Sequence, residues 1–429
     1  MATGSFRHEL TQSAAVSSVR SSIAELDRLR LWHPFTQQAD WARDDPLVIA
    51  AGEGSWVIDE SGRRYLDGNA SLWVNVHGHR RPEIDEAVRE QLDRIAHTTF
   101  LGLTNPPAVA FADALLATTP AGLTRAFLSE SGSSACEVAI KLALRHAQLR
   151  GDSRRTRIVG LRNGYHGDTL GAVAAGGIDA FHAAFAPLLG PALHAPSPID
   201  DPNADGLAAL LDAHGDEVFA LIVEPLIQAA AGILVAPEGW LARARALCDE
   251  AGCLLICDEV AVGLGRTGTF WACEREGVAP DILCTGKGLT GGYLPLSATL
   301  VREELYESFL GGPERAFHHG HSYSGNPLAC AAAVASLALY ERDGTLANVV
   351  RQSARLRTRL EAAPYPVRGH GLLLGVTGGG SAVCRAARRH GLVIRPLGEV
   401  VVVCPPLSIS DEESDLLADA LLAAYADAA

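Results

Sequence analysis

The apolar run LLIC at residues 254–257, which leads directly into Asp258, constrains the fold of this chain most strongly. The run shows no alternation of polar and apolar residues, which is typical of a strand covered on both faces of a parallel sheet. The carboxyl ends of such strands line the ligand crevice of an open α/β sheet, so an acid there can reach a ligand. A second apolar run, residues 282–284, leads to Lys287 in a Gly-Lys-Gly sequence. We therefore expect Asp258 and Lys287 to lie at the same edge of one sheet.

Lysine is scarce in this chain, which makes Lys287 informative. Of the 36 basic residues, only Lys141 and Lys287 are lysines, and the rest are arginines. Arginine can replace lysine as a surface cation, but its guanidinium stays protonated, whereas a lysine amine can lose its proton and attack a carbonyl. A solvated loop lysine is the simpler alternative. Because the bias toward arginine has spared a lysine in a glycine loop, we predict that Lys287 acts as a nucleophile.

Composition excludes several classes of partner. With 50 acidic against 36 basic residues the net charge is -14, which argues against a nucleic-acid partner because that affinity depends on clustered cations. No apolar run approaches the ~18 residues of a membrane span. The nine cysteines are odd in number and form no CxxC pair, which is typical of a reducing compartment. We expect a cytoplasmic protein with a small-molecule partner.

The order of the predicted elements suggests two domains. Strands alternate with helices from 126 to 301, which is a doubly wound layout with a mostly parallel sheet. A shorter α+β unit follows, with strands near 372–376, 393–397 and 400–404. The predicted division is therefore a flexible tail (1–30), an N-terminal segment packing with the small domain (31–75), a large domain (76–320) and a small C-terminal domain (321–429).

A serine-rich segment after the strand at 126–128 predicts an anion site. The strand runs into small polar residues at 129–134, and Ser134 and Glu137 have the spacing of a capping box at the start of a helix. Free backbone N–H groups and the helix dipole favour a phosphate at such a helix N-terminus. An ordinary serine-rich cap remains the alternative.

These features together suit a phosphorylated carbonyl cofactor, and pyridoxal 5'-phosphate (PLP) fits each of them. Lys287 would hold the aldehyde as an imine, and Asp258 would favour the protonated ring nitrogen, since an opposite charge stabilises the cation. Tyr165 or His166 would stack on the ring. Gly132 with its neighbouring serine would hold the phosphate.

The segments around Asp258 and Lys287 resemble those of a known protein family. The segments DEVAVGLGRTG at 258–268 and TGKGLTGG at 285–292 resemble the signature of class III PLP-dependent aminotransferases. This implies the fold type I architecture, with a large PLP-binding domain and a smaller α+β domain. Other motifs resemble one branch, the biotin-pathway 7,8-diaminopelargonate synthases: WHP at 32–34, SGS at 131–133, NGYHGDT at 163–169, HG at 319–320, GNPLAC at 325–330 and RP at 395–396.

The resemblance implies roles for individual residues and a homodimer with shared active sites. Catalysis would involve Lys287, Asp258 and Tyr165. The cofactor would be bound by Gly132, Ser133, Tyr165, His166, Asp258, Lys287, His321 and Ser322, of which the last two would come from the neighbouring subunit. The substrates would contact Phe35, Trp73, Tyr165, Gly320 and Arg395, with Arg395 holding the carboxylate of 8-amino-7-oxononanoate because a guanidinium fork suits that group. No metal ligand is expected.

Two departures from the better-known members concern the amino donor. This chain has Leu72-Trp73 where they have two tryptophans, and Phe35 where they have a tyrosine. Losing an indole that could stack on the sulfonium of S-adenosylmethionine fits a smaller amine, so we expect lysine as donor.

Other functions stay open at the level of sequence. Class III enzymes for other amines, such as ω-amino acids, share Asp258 and Lys287. A metal-dependent hydrolase could be built from His77 and His79, the histidines at 318–321 and the 258–259 acid pair, although histidine clusters without a full ligand set are usually structural. A non-catalytic binding protein is the third alternative.

Overall fold

The structure, a computed structural model, describes residues 22–428. These residues divide into two compact units. The first contains residues 22–51 and Ile58–Arg64, and the second contains Gly52–Val57 and the chain from Tyr65 onward. Most of the predicted tail lies outside the described residues; within its described part, Ile23–Arg30 form a helix capped by Ser22. A boundary near residue 320 remains a prediction.

Strands and helices alternate through most of the described chain. The strands are β1 (Ile49–Glu53), β2 (Trp56–Asp59), β3 (Arg64–Asp67), β4 (Leu123–Ser129), β5 (Arg157–Leu161), β6 (Ala192–Ala195), β7 (Val218–Val223), β8 (Ile227–Gln228), β9 (Leu234–Val235), β10 (Leu254–Asp258), β11 (Ile282–Thr285), β12 (Ser297–Arg302), β13 (Val367–His370), β14 (Leu373–Val376), β15 (Leu392–Val393), β16 (Arg395–Leu397) and β17 (Val400–Val403). The helices are α1 (Ile23–Arg30), α2 (Gln38–Trp41), α3 (Pro82–Leu92), α4 (Pro106–Leu116), α5 (Gly132–Leu149), α6 (Leu170–Ala175), α7 (Asp179–His182), α8 (Asp205–His214), α9 (Trp240–Ala251), α10 (Glu303–Glu307), α11 (Pro327–Arg342), α12 (Thr345–Leu360), α13 (Gly380–Arg389) and α14 (Asp411–Ala428).

A seven-stranded sheet in the order β4-β12-β11-β10-β7-β5-β6 forms the centre of the second unit. β10 is parallel to both β11 and β7, and only the pairings of β12 are antiparallel within this sheet. Along β10, Leu255 and Cys257 belong to one buried apolar cluster and Ile256 belongs to another. The sheet is therefore covered on both faces, as the missing alternation in residues 254–257 predicted.

The site residues are positioned by the carboxyl ends of adjacent strands. Asp258 is the last residue of β10, and Lys287 follows the end of β11 by two residues. In the parallel pairing of these two strands Asp258 lies opposite Cys284. The predicted proximity of Asp258 and Lys287 at one sheet edge is confirmed by this register.

The two neighbouring acids at the end of β10 have separate environments. Glu259 is fully buried, and its two carboxylate oxygens accept hydrogen bonds of 2.8 Å each from the backbone N–H groups of Ala272 and Cys273. Burial raises the pKa of Glu259 to about 7. Glu259 thus holds the loop after β10 in place and leaves Asp258 as the acid available to a ligand.

Smaller sheets and helices complete the second unit. β13, β14, β17 and β16 form an antiparallel four-stranded sheet, and β15 pairs in parallel with β3. The single strand predicted at 393–397 is thus two short strands that belong to different sheets. α5 packs on the large sheet, and α11 packs against α3 and α4.

The predicted start of α5 is wrong by three residues. Ser131, not Ser134, is the N-cap: Ser131 has an extended backbone, and its side chain accepts a hydrogen bond of 3.1 Å from the Ser134 N–H. The Ser134 hydroxyl instead contacts Ser131 Oγ and Glu130 Oε1. The helix therefore begins at Gly132, which brings its first turn to the strand end.

Burial of the cysteines fits the interpretation of their spacing. All nine are free and buried in the structure. Such side chains behave as small apolar groups of the core. Among the described residues no helix has the length and apolar character needed to cross a membrane.

Close packing between β5 and α6 leads to a stability prediction. A Cβ atom added at Gly160 of β5 would lie 1.8 Å from the carbonyl oxygen of Ala175, the last residue of α6. We expect Gly160→Ala to lower the free energy of unfolding by at least about 1–3 kcal/mol, the usual cost of overpacking a core. Gly190→Ala is the matched control, because an added Cβ there meets nothing within 4 Å. Equal midpoints of thermal unfolding for the two variants would contradict the prediction.

Candidate active site

A cavity of about 340 Å³ lies at the strand ends that the sequence singled out. It is lined by Ser71, Leu72, Trp73, Val74, Gly132, Ser133, Tyr165, His166, Gly167, Asp168, Glu224, Ala229, Ala230, Asp258, Val260, Ala261 and Lys287. Seven of the predicted site residues are in this lining: Trp73, Gly132, Ser133, Tyr165, His166, Asp258 and Lys287. The structure thus brings these seven predicted residues, from five separate segments of the chain, together around one cavity.

Lys287 has the environment of a reactive amine. Burial lowers the pKa of its amine, and the carboxylates of Asp258 and Glu224 partly oppose this effect. The Nζ atom lies 5.4 Å from the centre of the Trp73 ring. The backbone of Lys287 has a φ of 41°, a conformation that non-glycine residues adopt infrequently. A lowered pKa increases the fraction of neutral amine, which is the form that attacks a carbonyl.

Asp258 is held by three donors. Its Oδ1 accepts a hydrogen bond of 3.0 Å from the Val260 N–H. Its Oδ2 lies 2.8 Å from Nδ1 of His166 and 3.4 Å from the thiol sulfur of Cys136. The Asp258 residue is only 4% exposed. These contacts fix the orientation of the Asp258 carboxylate. Because His166 is engaged in this contact, Tyr165 is the candidate for contact with the ring of the cofactor.

The start of α5 fits a phosphate group. Gly132 and Ser133 are the first two residues of α5, where backbone N–H groups have no partner within the helix. A Cβ atom at Gly132 would lie 2.5 Å from Val260 Cγ1, so the backbone approaches the loop after β10 closely. Ser133 Oγ accepts a hydrogen bond of 3.0 Å from the Thr169 N–H. This contact ties the helix start to the segment that carries Tyr165.

Glu224 is a cavity residue that sequence reasoning did not select. It follows β7, and its carboxylate oxygens accept hydrogen bonds of 3.0 Å from the backbone N–H groups of Tyr165 and Ala229. Burial raises the pKa of Glu224 to about 7. The Glu-Pro sequence at a strand end was the available signal, since Asp258 and Lys287 also follow strands at this edge. Glu224 thus fixes the position of the Tyr165 backbone.

Four consecutive residues beside the cavity have left-handed backbone conformations. Ala70, Ser71, Leu72 and Trp73 have φ values of 45°, 48°, 68° and 69°. We call residues 70–73 the left-handed turn. A left-handed helical conformation costs L-residues roughly 1–2 kcal/mol each, so this turn costs roughly 4–8 kcal/mol. Strain of this size persists only where surrounding contacts enforce it.

Several predicted site residues are not in the cavity lining of this single chain. Gly320, His321 and Ser322 follow the loop after α10, and Nδ1 of His321 lies 2.7 Å from Oε1 of Glu130. Arg395 is exposed on β16. Phe35, in the first unit, is 57% exposed. Their assignment to the cofactor and substrates remains a prediction.

Two of the histidines considered as metal ligands, His77 and His79, have other partners. His77 Nε2 lies 3.2 Å from Ser336 Oγ, and His79 Nε2 lies 3.0 Å from Asp67 Oδ2. Within residues 22–428, one group of three candidate ligand atoms does lie within 4.8 Å, on Cys136, His166 and Asp258. A metal-binding cysteine must be a thiolate, but the pKa of this thiol is raised well above its usual value by neighbouring Cys284 and by burial. The group therefore fits a hydrogen-bonded carboxylate better than a metal centre.

The residues fit PLP in three respects. A half-buried lysine in the cavity can bind an aldehyde, a fixed carboxylate can face the ring nitrogen, and a helix start can receive the phosphate. These are Lys287, Asp258 and residues 132–133, all in one lining.

Comparison with known proteins agrees with this geometry. The chain matches the aminotransferase class-III family over residues 38–425. It is 47% identical over 438 residues to the adenosylmethionine-8-amino-7-oxononanoate aminotransferase of Nitratidesulfovibrio vulgaris, covering 94% of this chain and 81% of that relative. The solved structure of the protein of the same name from Methanocaldococcus jannaschii has a TM-score of 0.90 at 39% identity, covering 94% of this chain and 98% of that one. An amine transaminase from an uncultivated Pseudomonas species, solved in a PLP-bound form, has a TM-score of 0.88 at 34% identity, covering 93% and 99%.

The match spans nearly all of the described chain, and the solved relatives share its fold. The predicted fold class and cofactor are confirmed, since these relatives are transaminases and one of them holds PLP. The chain therefore belongs to the class III aminotransferases, enzymes that use pyridoxal 5'-phosphate to transfer amino groups.

Proposed function

We propose that this enzyme transfers an amino group to 8-amino-7-oxononanoate, giving 7,8-diaminononanoate in biotin biosynthesis. The observation that carries the proposal is the assembly of Lys287, Asp258 and Trp73 around one cavity, in a chain whose relatives at 47% and 39% identity are named for this acceptor. The free, buried cysteines support a cytoplasmic location, where thiols stay reduced.

Lys287 and Asp258 would carry the proton movements. When bound, PLP supplies an aldehyde that accepts the amino group and a ring that withdraws electrons. Lys287, with its lowered pKa, would hold the cofactor and, once displaced by the substrate amine, move a proton as a general base. Asp258, fixed by His166 and the Val260 N–H, would keep the ring nitrogen protonated.

The remaining roles concern the phosphate and the acceptor. Gly132 and Ser133 would bind the phosphate through the start of α5. In a homodimer, Gly320, His321 and Ser322 of a second copy would complete the same site. Arg395 would hold the acceptor carboxylate through two parallel hydrogen bonds.

We propose lysine as the amino donor. Leu72 lines the cavity and is 50% exposed, so its side chain offers an aliphatic surface where an indole could have stacked on a sulfonium. Phe35 would add a second apolar contact. The names of the relatives point instead to S-adenosylmethionine, so the donor needs a direct measurement.

A class III aminotransferase for another amine is the second candidate. The match to the PLP-bound amine transaminase covers 99% of that protein at 34% identity, so the fold and the lysine site alone do not determine the acceptor. Turnover with ω-amino acids and none with 8-amino-7-oxononanoate would favour this candidate.

The scarcity of lysine allows a direct test of the cofactor attachment. Borohydride reduction of the PLP-bound enzyme, followed by proteolysis and mass spectrometry, should place the cofactor mass on the peptide with Lys287 and none on the peptide with Lys141. Lys287→Arg should lower turnover by at least about a hundredfold, because a guanidinium provides no base. Lys141→Arg is the matched control and should retain turnover. Cofactor mass on Lys141, or an active Lys287→Arg variant, would refute the assignment.

The donor is tested by the absorption spectrum of the PLP-bound enzyme, mixed separately with lysine and with S-adenosylmethionine. We expect lysine to convert the bound cofactor to its aminated form and S-adenosylmethionine to leave it unchanged. The product of a subsequent reaction with 8-amino-7-oxononanoate is then identified by mass spectrometry. Conversion by S-adenosylmethionine alone would overturn the donor proposal and leave the acceptor proposal intact.

Subunit complementation tests the shared site. A Lys287→Ala chain keeps His321 and Ser322, whereas a chain with both of the latter changed to alanine keeps Lys287. If a second copy supplies the phosphate contacts, each variant should be inactive alone and mixed subunits should recover activity. Recovery should accompany a dimer in analytical ultracentrifugation. No recovery in a confirmed mixed dimer would show that the site is complete within one chain.

A further inference from the structure

The left-handed turn at residues 70–73 is the feature of the cavity wall that cofactor chemistry does not explain. Three of its residues, Ser71, Leu72 and Trp73, border the cavity, and the Trp73 ring lies 5.4 Å from Nζ of Lys287. Its backbone closes on itself through hydrogen bonds of 2.9 Å from the Trp73 N–H to the Asn69 carbonyl and from the Val74 N–H to the Ala70 carbonyl. Local hydrogen bonds of this kind do not offset four left-handed residues, so other contacts must enforce the conformation.

Asp67 provides those contacts. Its side chain is 3% exposed, and its Oδ1 accepts a hydrogen bond of 3.0 Å from the Ser71 N–H. Its Oδ2 accepts one of 2.8 Å from Ser71 Oγ and lies 3.0 Å from His79 Nε2. Hydrogen bonds to a buried carboxylate are stronger than those between neutral groups. The Asp67 carboxylate therefore binds the turn through both the backbone N–H and the side-chain hydroxyl of Ser71.

The position of Asp67 is itself set by a sheet. It is the last residue of β3, and it pairs with Val393 of β15. The carbonyl of the next residue, Gly68, accepts a hydrogen bond of 2.8 Å from the Cys404 N–H. Rigid strand backbone on one side and the turn on the other make Asp67 a link between the sheet and the cavity wall.

Asn69 completes the connection to the indole. Its Oδ1 accepts a hydrogen bond of 3.1 Å from Nε1 of Trp73, and Asn69 is buried. Trp73 is thus restrained at its indole N–H by Asn69 and at its backbone by the turn. Its face toward Lys287 is determined by these two restraints.

We propose that Asp67 is a positioning residue for amine binding: it holds the left-handed turn, and through the turn it sets Leu72 and Trp73 against Lys287. The proposal rests on the proposed role of Trp73 at the substrate. It requires no particular acceptor, since both candidate functions begin with an amine entering beside Lys287.

Asp67→Asn tests the link, with Asp59→Asn as matched control. Asp59 Oδ1 also accepts three local hydrogen bonds, from the Ser61 N–H, Ser61 Oγ and the Arg63 N–H, but neither Ser61 nor Arg63 lines the cavity, whereas Ser71 does. The two readouts are the donor concentration that half-converts the bound cofactor and the circular dichroism of the bound cofactor. We expect Asp67→Asn to raise the half-conversion concentration at least about tenfold and to change the dichroism, because a misplaced contact group weakens productive binding.

The control should leave both readouts at the wild-type value, even if its unfolding midpoint falls. If Asp67→Asn lowers only the unfolding midpoint and leaves donor conversion and dichroism unchanged, Asp67 is merely structural and the proposal is overturned. If Asp67→Asn does not fold, Ser71→Ala replaces it. This variant removes the hydroxyl contact from the cavity residue Ser71 to Oδ2 of Asp67, and it should shift the same two readouts in the same direction. Unchanged readouts would overturn the proposal.

A double-mutant cycle separates this proposal from the proposed role of Trp73. If Asp67 acts through the indole, the effects of Asp67→Asn and Trp73→Phe on half-conversion should be clearly non-additive. Additive effects would overturn the positioning role. A Trp73→Phe variant with wild-type half-conversion would instead refute the substrate role of Trp73, on which the proposal depends.

Discussion

The opposition between burial and nearby carboxylates at Lys287 is the interaction on which the rest of the site depends. Burial favours the neutral amine, while Asp258 and Glu224 favour the cation. In the proposed function the same amine acts as a nucleophile and as a base, and these two opposing influences on its pKa suit both roles. The large sheet supplies them together by ending three neighbouring strands, β7, β10 and β11, at the same edge.

Parallel strand order explains why much of this site was predictable from sequence. A strand covered on both faces needs an uninterrupted apolar run, so the strands at 254–257 and 282–284 could be recognised from the sequence alone. The carboxyl ends of parallel neighbours necessarily meet, which brought Asp258 and Lys287 together by topology. Gly132 was similarly predictable, since a strand followed by small residues and a helix is a local pattern. In each case the signal lies within about ten residues of the chain.

Other features depend on contacts between distant segments, and local sequence carries no trace of them. His166 was a candidate for ring stacking, but its Nδ1 lies 2.8 Å from a carboxylate 92 positions away. The N-cap of α5 was misplaced because Ser131 and Ser134 have equal local propensity, and the choice follows from where β4 ends. The left-handed turn was unpredictable because Leu72 and Trp73 disfavour that conformation, and its contacts with the buried Asp67 are not visible in the local sequence.

The adjacent acids at the end of β10 constrain how this sequence can change. Asp258 faces the cofactor cavity, and the next residue, Glu259, serves the interior by accepting two backbone N–H groups. A shift of β10 by one residue would move Glu259 into the place of Asp258, or Asp258 into the place of Glu259, depending on its direction. Either the carboxylate that lines the cavity or the one that anchors the loop would then be out of place. Insertions and deletions within β10 should accordingly be absent from functional descendants of this chain, whereas they can accumulate in its surface loops.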